Sequence, residues 1–216
     1  MGTKVDFGIY LITDRKLLTE SPEFPVQSSR LLLAVEDALK AGVKAVQLRE
    51  KDLPARRLLD MAYGMREITA RYDATLFINE RVDIAMCAEA DGIHLGQSGI
   101  PVHAARKIVG ERVLIGASTH NLEEALTAER EGADFITFGP VYDTPSKRKY
   151  GEPVGIGALQ MVSEKISLPV FGIGGITAER VKEVMKAGAR GIALIRGILG
   201  ETDIKGTAKE YLGMVG

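Results

Sequence analysis

Four times along the chain an amphipathic run rich in Ala and Glu meets a glycine or an Asp-Gly pair and passes into a short β-prone stretch: ALKAGVKAVQL, CAEADGIHL, AEREGADFITF and VMKAGARGIAL. Glycine after a helix takes up the left-handed conformation that closes the last turn, so each segment reads as helix, C-terminal turn and strand. The apolar runs centre near Val46, Ile93, Ile136 and Ile192, roughly 50 residues apart, which leaves room in each interval for a further strand and helix.

The intervening strands are GIYLIT at 8–13, TLFIN at 75–79, VLIGAS at 113–118 and PVFGIG at 169–174. Helical spacing recurs in Leu31, Leu32, Val35, Ala38 and Leu39, and again in Leu58, Met61, Ala62, Met65 and Ile68. Asn121 and Thr177 are expected N-caps, with Glu124 placed as in a capping box. Regular alternation predicts a parallel sheet with right-handed crossovers, and eight units in 216 residues suit a compact (β/α)8 TIM barrel. The expectation is a single α/β domain over residues 1–216. The competing open, doubly wound sheet lacks its GxGxxG after the first strand. The longest connection without periodicity, YDTPSKRKYGEPVG at 142–155, is marked as a candidate lid.

Lys and Arg total 28 against 29 Asp and Glu, a balance that argues against a protein built to neutralise nucleic-acid phosphates. One cysteine, Cys87, excludes an internal disulfide and suits a reducing compartment. The apolar stretch near the start is about six residues long, too short for a signal-peptide core or a membrane span. The expectation is a cytoplasmic protein with neither nucleic-acid nor membrane partners. Oligomeric state is open.

In such a barrel the site lies where the strands end at their C-termini. QLREK puts Gln47, Arg49 and Lys51 at alternate positions, on one side if the strand continues, with Leu48 and Glu50 opposite. Two cations and an amide converging there suit phosphate or diphosphate; a solvated edge with Glu50 pairing a cation is the other reading. FGPVYDTPSK offers Thr144 and Ser146 beside Lys147 for a second phosphate, and FGIGGIT offers bare backbone at Gly174 and Gly175. Among the histidines, His94 reads as a satisfied core residue, His103 as surface, and His120 either as the best placed for acid–base work or as a loop residue capping the next helix. Met86 and Cys87 read as helix packing.

Together the segments YLITDR, VQLREK, FIN with RVDIA after it, ADGIHLGQ, IGASTH, FGPVYDTPSK and GIGGIT, in that order, resemble the thiamin phosphate synthase family over nearly the whole chain. The resemblance implies a transferase that takes small phosphorylated substrates. A pyrimidine diphosphate would be held by Gln47, Arg49, Lys51, Asn79, Ser118 and Lys147. A thiazole phosphate would be held by Thr144, Ser146 and the backbone at Gly175, Ile195 and Arg196. It also implies Mg²⁺ on the diphosphate. The family pattern has two metal-binding aspartates, where this chain has Glu80 and Gly99, and a serine where it has Arg196. Those departures resemble the sister thiazole tautomerases, in which the histidine matching His120 acts as acid and base. A non-catalytic phosphate-ligand binder is the third expectation.

Overall fold

The computed structural model describes residues 5–18, 27–144 and 152–215. Eight strands form: β1 (Ile9–Ile12), β2 (Ala45–Leu48), β3 (Thr75–Asn79), β4 (Gly92–Leu95), β5 (Leu114–Thr119), β6 (Phe135–Phe138), β7 (Val170–Ile173) and β8 (Gly191–Leu194). Between and after them run α1 (Gln27–Ala41), α2 (Ala55–Arg71), α3 (Val82–Cys87), α4 (Val102–Val109), α5 (Leu122–Arg130), α6 (Gly155–Lys165), α7 (Ala178–Lys186), α8 (Arg196–Leu199) and α9 (Ile204–Val215). Each strand pairs in parallel with its sequence neighbour and β1 closes against β8, so the sheet is a barrel and the open alternative is excluded. β3 spans the expected TLFIN, whereas β5 lies one residue later than VLIGAS.

The helix-to-strand turn has a common geometry. After α1, Gly42 adopts φ +116° while its N–H and that of Val43 donate to the carbonyls of Leu39 and Ala38, the paired bonds that close a helix when the next residue is left-handed. The same pair recurs after α5 at Gly132 and Ala133. After α3 it is Glu89, at φ +49°, that makes the turn. The Asp-Gly expected there does something else, because Gly92 lies within β4. Asp73 turns the end of α2 in the same way.

Alternate strand residues face opposite sides of the ring. Leu11, Val46, Leu76, Ile93, Ile115, Ile136 and Ile192 pack against the helices, while Tyr10, Phe77, Phe135 and Phe171 fill the interior together with Phe7, which precedes β1. Tyr10 meets Phe77 edge-on at 5.2 Å and Phe77 meets Phe135 edge-on at 5.3 Å between centroids, while Phe7 stacks on Phe171 at 5.0 Å. They fit because neighbouring strands carry glycine beside them. A Cβ at Gly92 would collide with Phe77, one at Gly116 with Phe135, and one at Gly191 with Phe171. The floor of the barrel is therefore a large-against-small packing of aromatic side chains.

The packing expected of Met86 and Cys87 is corrected, and the expectations for Thr177 and Leu32 are refined. Met86 and Cys87 do lie on α3, but both are exposed; in a helix of six residues Ile84 and Ala85 supply the buried face. Thr177 caps α7 by backbone conformation alone, its hydroxyl donating to Glu179 at 2.6 Å. Asn121 does accept from the Glu124 N–H at 2.9 Å, and the Glu124 carboxylate takes the His120 N–H at 2.8 Å. Leu32, expected on the buried face of α1, is half-buried.

Candidate active site

Above the aromatic floor the same inward-facing register turns polar. Gln47, Asn79, His94, Ser118 and Thr137 follow Ala45, Phe77, Gly92, Gly116 and Phe135 by two residues on their strands, so the period of two puts all five on the inner face toward the C-terminal end. Asn79 stands opposite His94 in the ladder, and Ser118 opposite Thr137. Gln47 Nε2 donates to the Tyr10 hydroxyl at 3.0 Å, Tyr10 reaches His94 Nδ1 at 3.3 Å, and His94 Nε2 lies 3.0 Å from Ser118 Oγ. Burial, and then the charge of Arg49, push His94 down to about 3, so the ring is neutral at ordinary pH. Burial pushes the Tyr10 hydroxyl above its usual range.

β2 ends at Leu48, and the expected continuation of alternate facing through Lys51 does not occur. The Arg49 N–H donates to the Thr13 hydroxyl at 2.9 Å, and residues 51–53 turn away into α2. Gln47 is buried in the barrel, Arg49 is half-buried and Lys51 is exposed. Glu50 is turned inward: its carboxylate accepts from Thr13 Oγ1 at 2.8 Å, from the Arg15 N–H at 3.1 Å and from Arg15 Nη1 at 2.8 Å. Arg15 continues to Asp52 at 2.6 Å and 2.9 Å, and its guanidinium holds that carboxyl far below the usual range. This clamp ties the ends of β1 and β2 together. It leaves the Arg49 guanidinium without an ion-pair partner among the described residues.

Lys51 Nζ sits 3.3 Å from Glu80 Oε1 across a cleft of about 220 Å³ that Asn79 and Arg81 also line. Glu80 adopts φ +59° at the end of β3. Its side chain reaches over the loop after β4, where a Cβ on Gly96 would stand 2.7 Å from Oε1 and one on Gly99 3.7 Å from Cγ. The longer glutamate thus fills space beside a position without a side chain. Among the described residues no group of three or more His, Cys, Asp or Glu could enclose a metal ion.

Across the mouth a depression of about 60 Å³ is lined by Ser118, His120, Thr137, Pro140, Ile173 and Gly174. Gly174 and Gly175 are consecutive left-handed residues at φ +96° and +66°. Side chains could not be tolerated there, since a Cβ at Gly174 would lie 2.6 Å from Pro140 and one at Gly175 2.7 Å from the Asp143 carbonyl. Arg180 buttresses this backbone, donating to the Gly175 carbonyl at 2.7 Å while its guanidinium lies 4.4 Å over the Tyr142 ring. The Tyr142 hydroxyl donates to Glu183 at 2.6 Å, and burial followed by that carboxylate pushes it up to about 12.

Thr144 is half-buried where the described chain stops; Ser146, Lys147 and the middle of the candidate lid lie outside the described residues. Ile195 is half-buried just after β8, and Arg196 is exposed at the first position of α8. His120 is exposed and its Nδ1 lies 2.9 Å from Glu124. His103 is also exposed, beside Glu131 at 3.1 Å. Glu50 does pair with a cation, as the second reading of QLREK had it, but buried rather than at a solvated edge; sequence reading missed that Arg15 is the partner and Asp52 its further anchor, and missed the linkage through His94 and Thr137. The signal available was Arg15 beside Asp14, a short step past the end of β1 at Ile12.

A closed (β/α)8 barrel with, on one side of its mouth, an arginine that has no ion-pair partner among the described residues and, on the other, bare glycine backbone after β7 is a phosphate-handling barrel, because that end of the fold is where anions meet loop N–H groups. The family model described as thiamine monophosphate synthase matches residues 9–198. A putative thiamine-phosphate synthase of Geobacter sulfurreducens is 50% identical over 212 residues, covering 98% of this chain and 96% of that protein. The thiamine-phosphate synthase of Clostridium novyi is 42% identical over 95% of this chain and 97% of its own length. A solved thiamine phosphate pyrophosphorylase from Pyrococcus furiosus superposes with a TM-score of 0.86 at 35% identity, covering 97% and 95% of the two chains. The chain belongs to the thiamine monophosphate synthase family, and it is an enzyme of thiamine biosynthesis. Among the described residues no helix is long and apolar enough to cross a membrane.

Proposed function

We propose that the enzyme joins hydroxymethylpyrimidine diphosphate to thiazole phosphate: the bond from the pyrimidine methylene to the diphosphate oxygen breaks, the thiazole nitrogen forms the new bond to that carbon, and thiamin phosphate and diphosphate leave. The observation that carries this reading is the half-buried Arg49, without an ion-pair partner among the described residues and near enough to the buried His94 for its charge to act on that ring, with Lys51 at a cleft that Asn79 also lines. The catalytic task is to stabilise a departing anion and to hold a nucleophile in line with a developing cation, which requires placed charges and no protein nucleophile. Arg49, Lys51 and Lys147 are assigned to the diphosphate, with Gln47, Asn79 and Ser118 orienting the pyrimidine. Thr144, Ser146 and the backbone at Gly175, Ile195 and Arg196 are assigned to the thiazole phosphate.

Mg²⁺ commonly takes one or two carboxylates and completes its shell with phosphate oxygens and water. Glu80, at the edge of the cleft, fits that role as a lone carboxylate, and Gly99 beside it adds none. When bound, the ion supplies positive charge to the leaving group. Lys51 would then serve the diphosphate and Glu80 the ion, from side chains that stand 3.3 Å apart. The synthase names of the relatives favour this reaction over tautomerisation at His120, whose side chain is exposed and held by Glu124. The same reading places the enzyme in the cytoplasm. Formation of thiamin phosphate from the two substrates, measured with and without Mg²⁺, tests it: turnover that Mg²⁺ stimulates is expected, and binding of the pyrimidine diphosphate with no product would contradict it.

A further inference from the structure

A buried chain of side chains runs under the mouth from Gln47 through Tyr10 and His94 to Ser118, and its proton order is fixed by chemistry. An amide nitrogen only donates, so Gln47 Nε2, 3.0 Å from the Tyr10 oxygen, gives its proton to Tyr10. Tyr10 has one proton left to give, and His94 Nδ1 is the acceptor within reach at 3.3 Å. Nδ1 is then bare, and a neutral ring carries its proton on Nε2, which points at Ser118 Oγ at 3.0 Å with Thr137 Oγ1 behind at 3.4 Å. Ser118 accepts, and its own proton is left to point elsewhere.

We propose that His94, oriented by Tyr10 and Gln47, is a positioning residue that sets the Ser118 hydroxyl as a hydrogen-bond donor into the barrel mouth. The proposal rests on the reading above that Ser118 meets substrate. The opposite tautomer would leave the Tyr10 proton facing an N–H and would draw the Ser118 proton onto Nε2, turning the hydroxyl away from an acceptor on the incoming substrate. The seat for the ring is built in, because a Cβ at Gly116 would stand 2.6 Å from Nδ1. Tyr10 is wholly buried and His94 is 3% exposed, so water does not compete for these bonds.

Imidazole ¹⁵N spectra of the protein without substrates read the tautomer directly, and a bare Nδ1 with a protonated Nε2 is expected. Tyr10→Phe keeps the ring and its packing and removes only the relay oxygen. In the wild-type background it should lower kcat/KM for coupling roughly tenfold, the scale of one buried hydrogen bond. In a Ser118→Ala background the same substitution should cost less than about twofold, because nothing remains for the relay to orient. A proton on Nδ1, an unchanged rate in Tyr10→Phe or in Ser118→Ala, or a full loss in both backgrounds would overturn the relay. If the wild-type protein failed to couple the two substrates, the proposed reaction would fall while the spectrum still decided the tautomer.

Discussion

The floor and the mouth of the barrel are built on the same inward-facing positions, two residues apart on the same strands, yet they are filled by opposite means. At the floor, Phe77, Phe135 and Phe171 rest beside glycines of neighbouring strands, and shape alone decides the fit. At the mouth, Gln47, His94 and Ser118 are held by directed bonds whose proton order matters. Loss at the floor should appear as loss of stability; loss at the mouth should appear as loss of rate. The strand period delivers both layers, and the residue type decides which layer does chemistry.

The largest separation of the two should come from Phe135→Ala. Removing a fully buried ring packed on Tyr10, Phe77 and Phe171 should lower unfolding free energy by about 3–5 kcal/mol in denaturant titration. A change under about 1 kcal/mol would show that the floor repacks freely.

His94 sharpens the boundary, since it is a mouth residue seated among floor rings. Its folded-state titration lies near 3 against 6.5 in the unfolded chain, so between those values the unfolded state binds a proton that the native state refuses. Stability should therefore be level above about pH 6.5 and fall by about 3 kcal/mol on the way to pH 4. In His94→Gln that slope should disappear. Asp52 and Asp83, whose carboxyls Arg15 and Arg81 hold below 3.8, begin to lose their stabilisation only at the lower edge of this window. Equal slopes in the two proteins would mean that the imidazole is protonated in the fold.

The smallest effect is expected at the clamp. Glu50→Gln keeps the shape but removes the charge that Arg15 and Thr13 address. With Asp52 still holding Arg15, a cost of about 2 kcal/mol in denaturant unfolding is expected. No change would leave the clamp without a structural role.

The ring of strands was legible because Ala45–Leu48, Gly92–Leu95, Phe135–Phe138 and Gly191–Leu194 each follow a helix end marked by a turn residue close by. Glu89 shows the limit of that signal: a non-glycine residue took the left-handed turn, and the nearby Gly92 was instead making room for Phe77. The cations at the mouth were legible as residue types at strand ends. Their direction was not, because the Thr13 hydroxyl caps the Arg49 N–H from 36 residues away and turns the chain off the strand course. The relay was hidden for the same reason, Tyr10 and His94 being 84 residues apart. Cys87 and Met86 were assigned to packing by helical spacing in a helix too short to have a second buried turn.

The proposed reaction rests on positive charge at the mouth, above all Arg49, which has no ion-pair partner among the described residues, driving departure of a diphosphate. It is tested most directly by the coupling rate of Arg49→Ala with saturating thiazole phosphate, beside an unfolding curve showing that the variant is folded. A fall in kcat/KM of at least about 10²-fold with unchanged stability is expected. A folded Arg49→Ala enzyme that couples at the wild-type rate would contradict the claim.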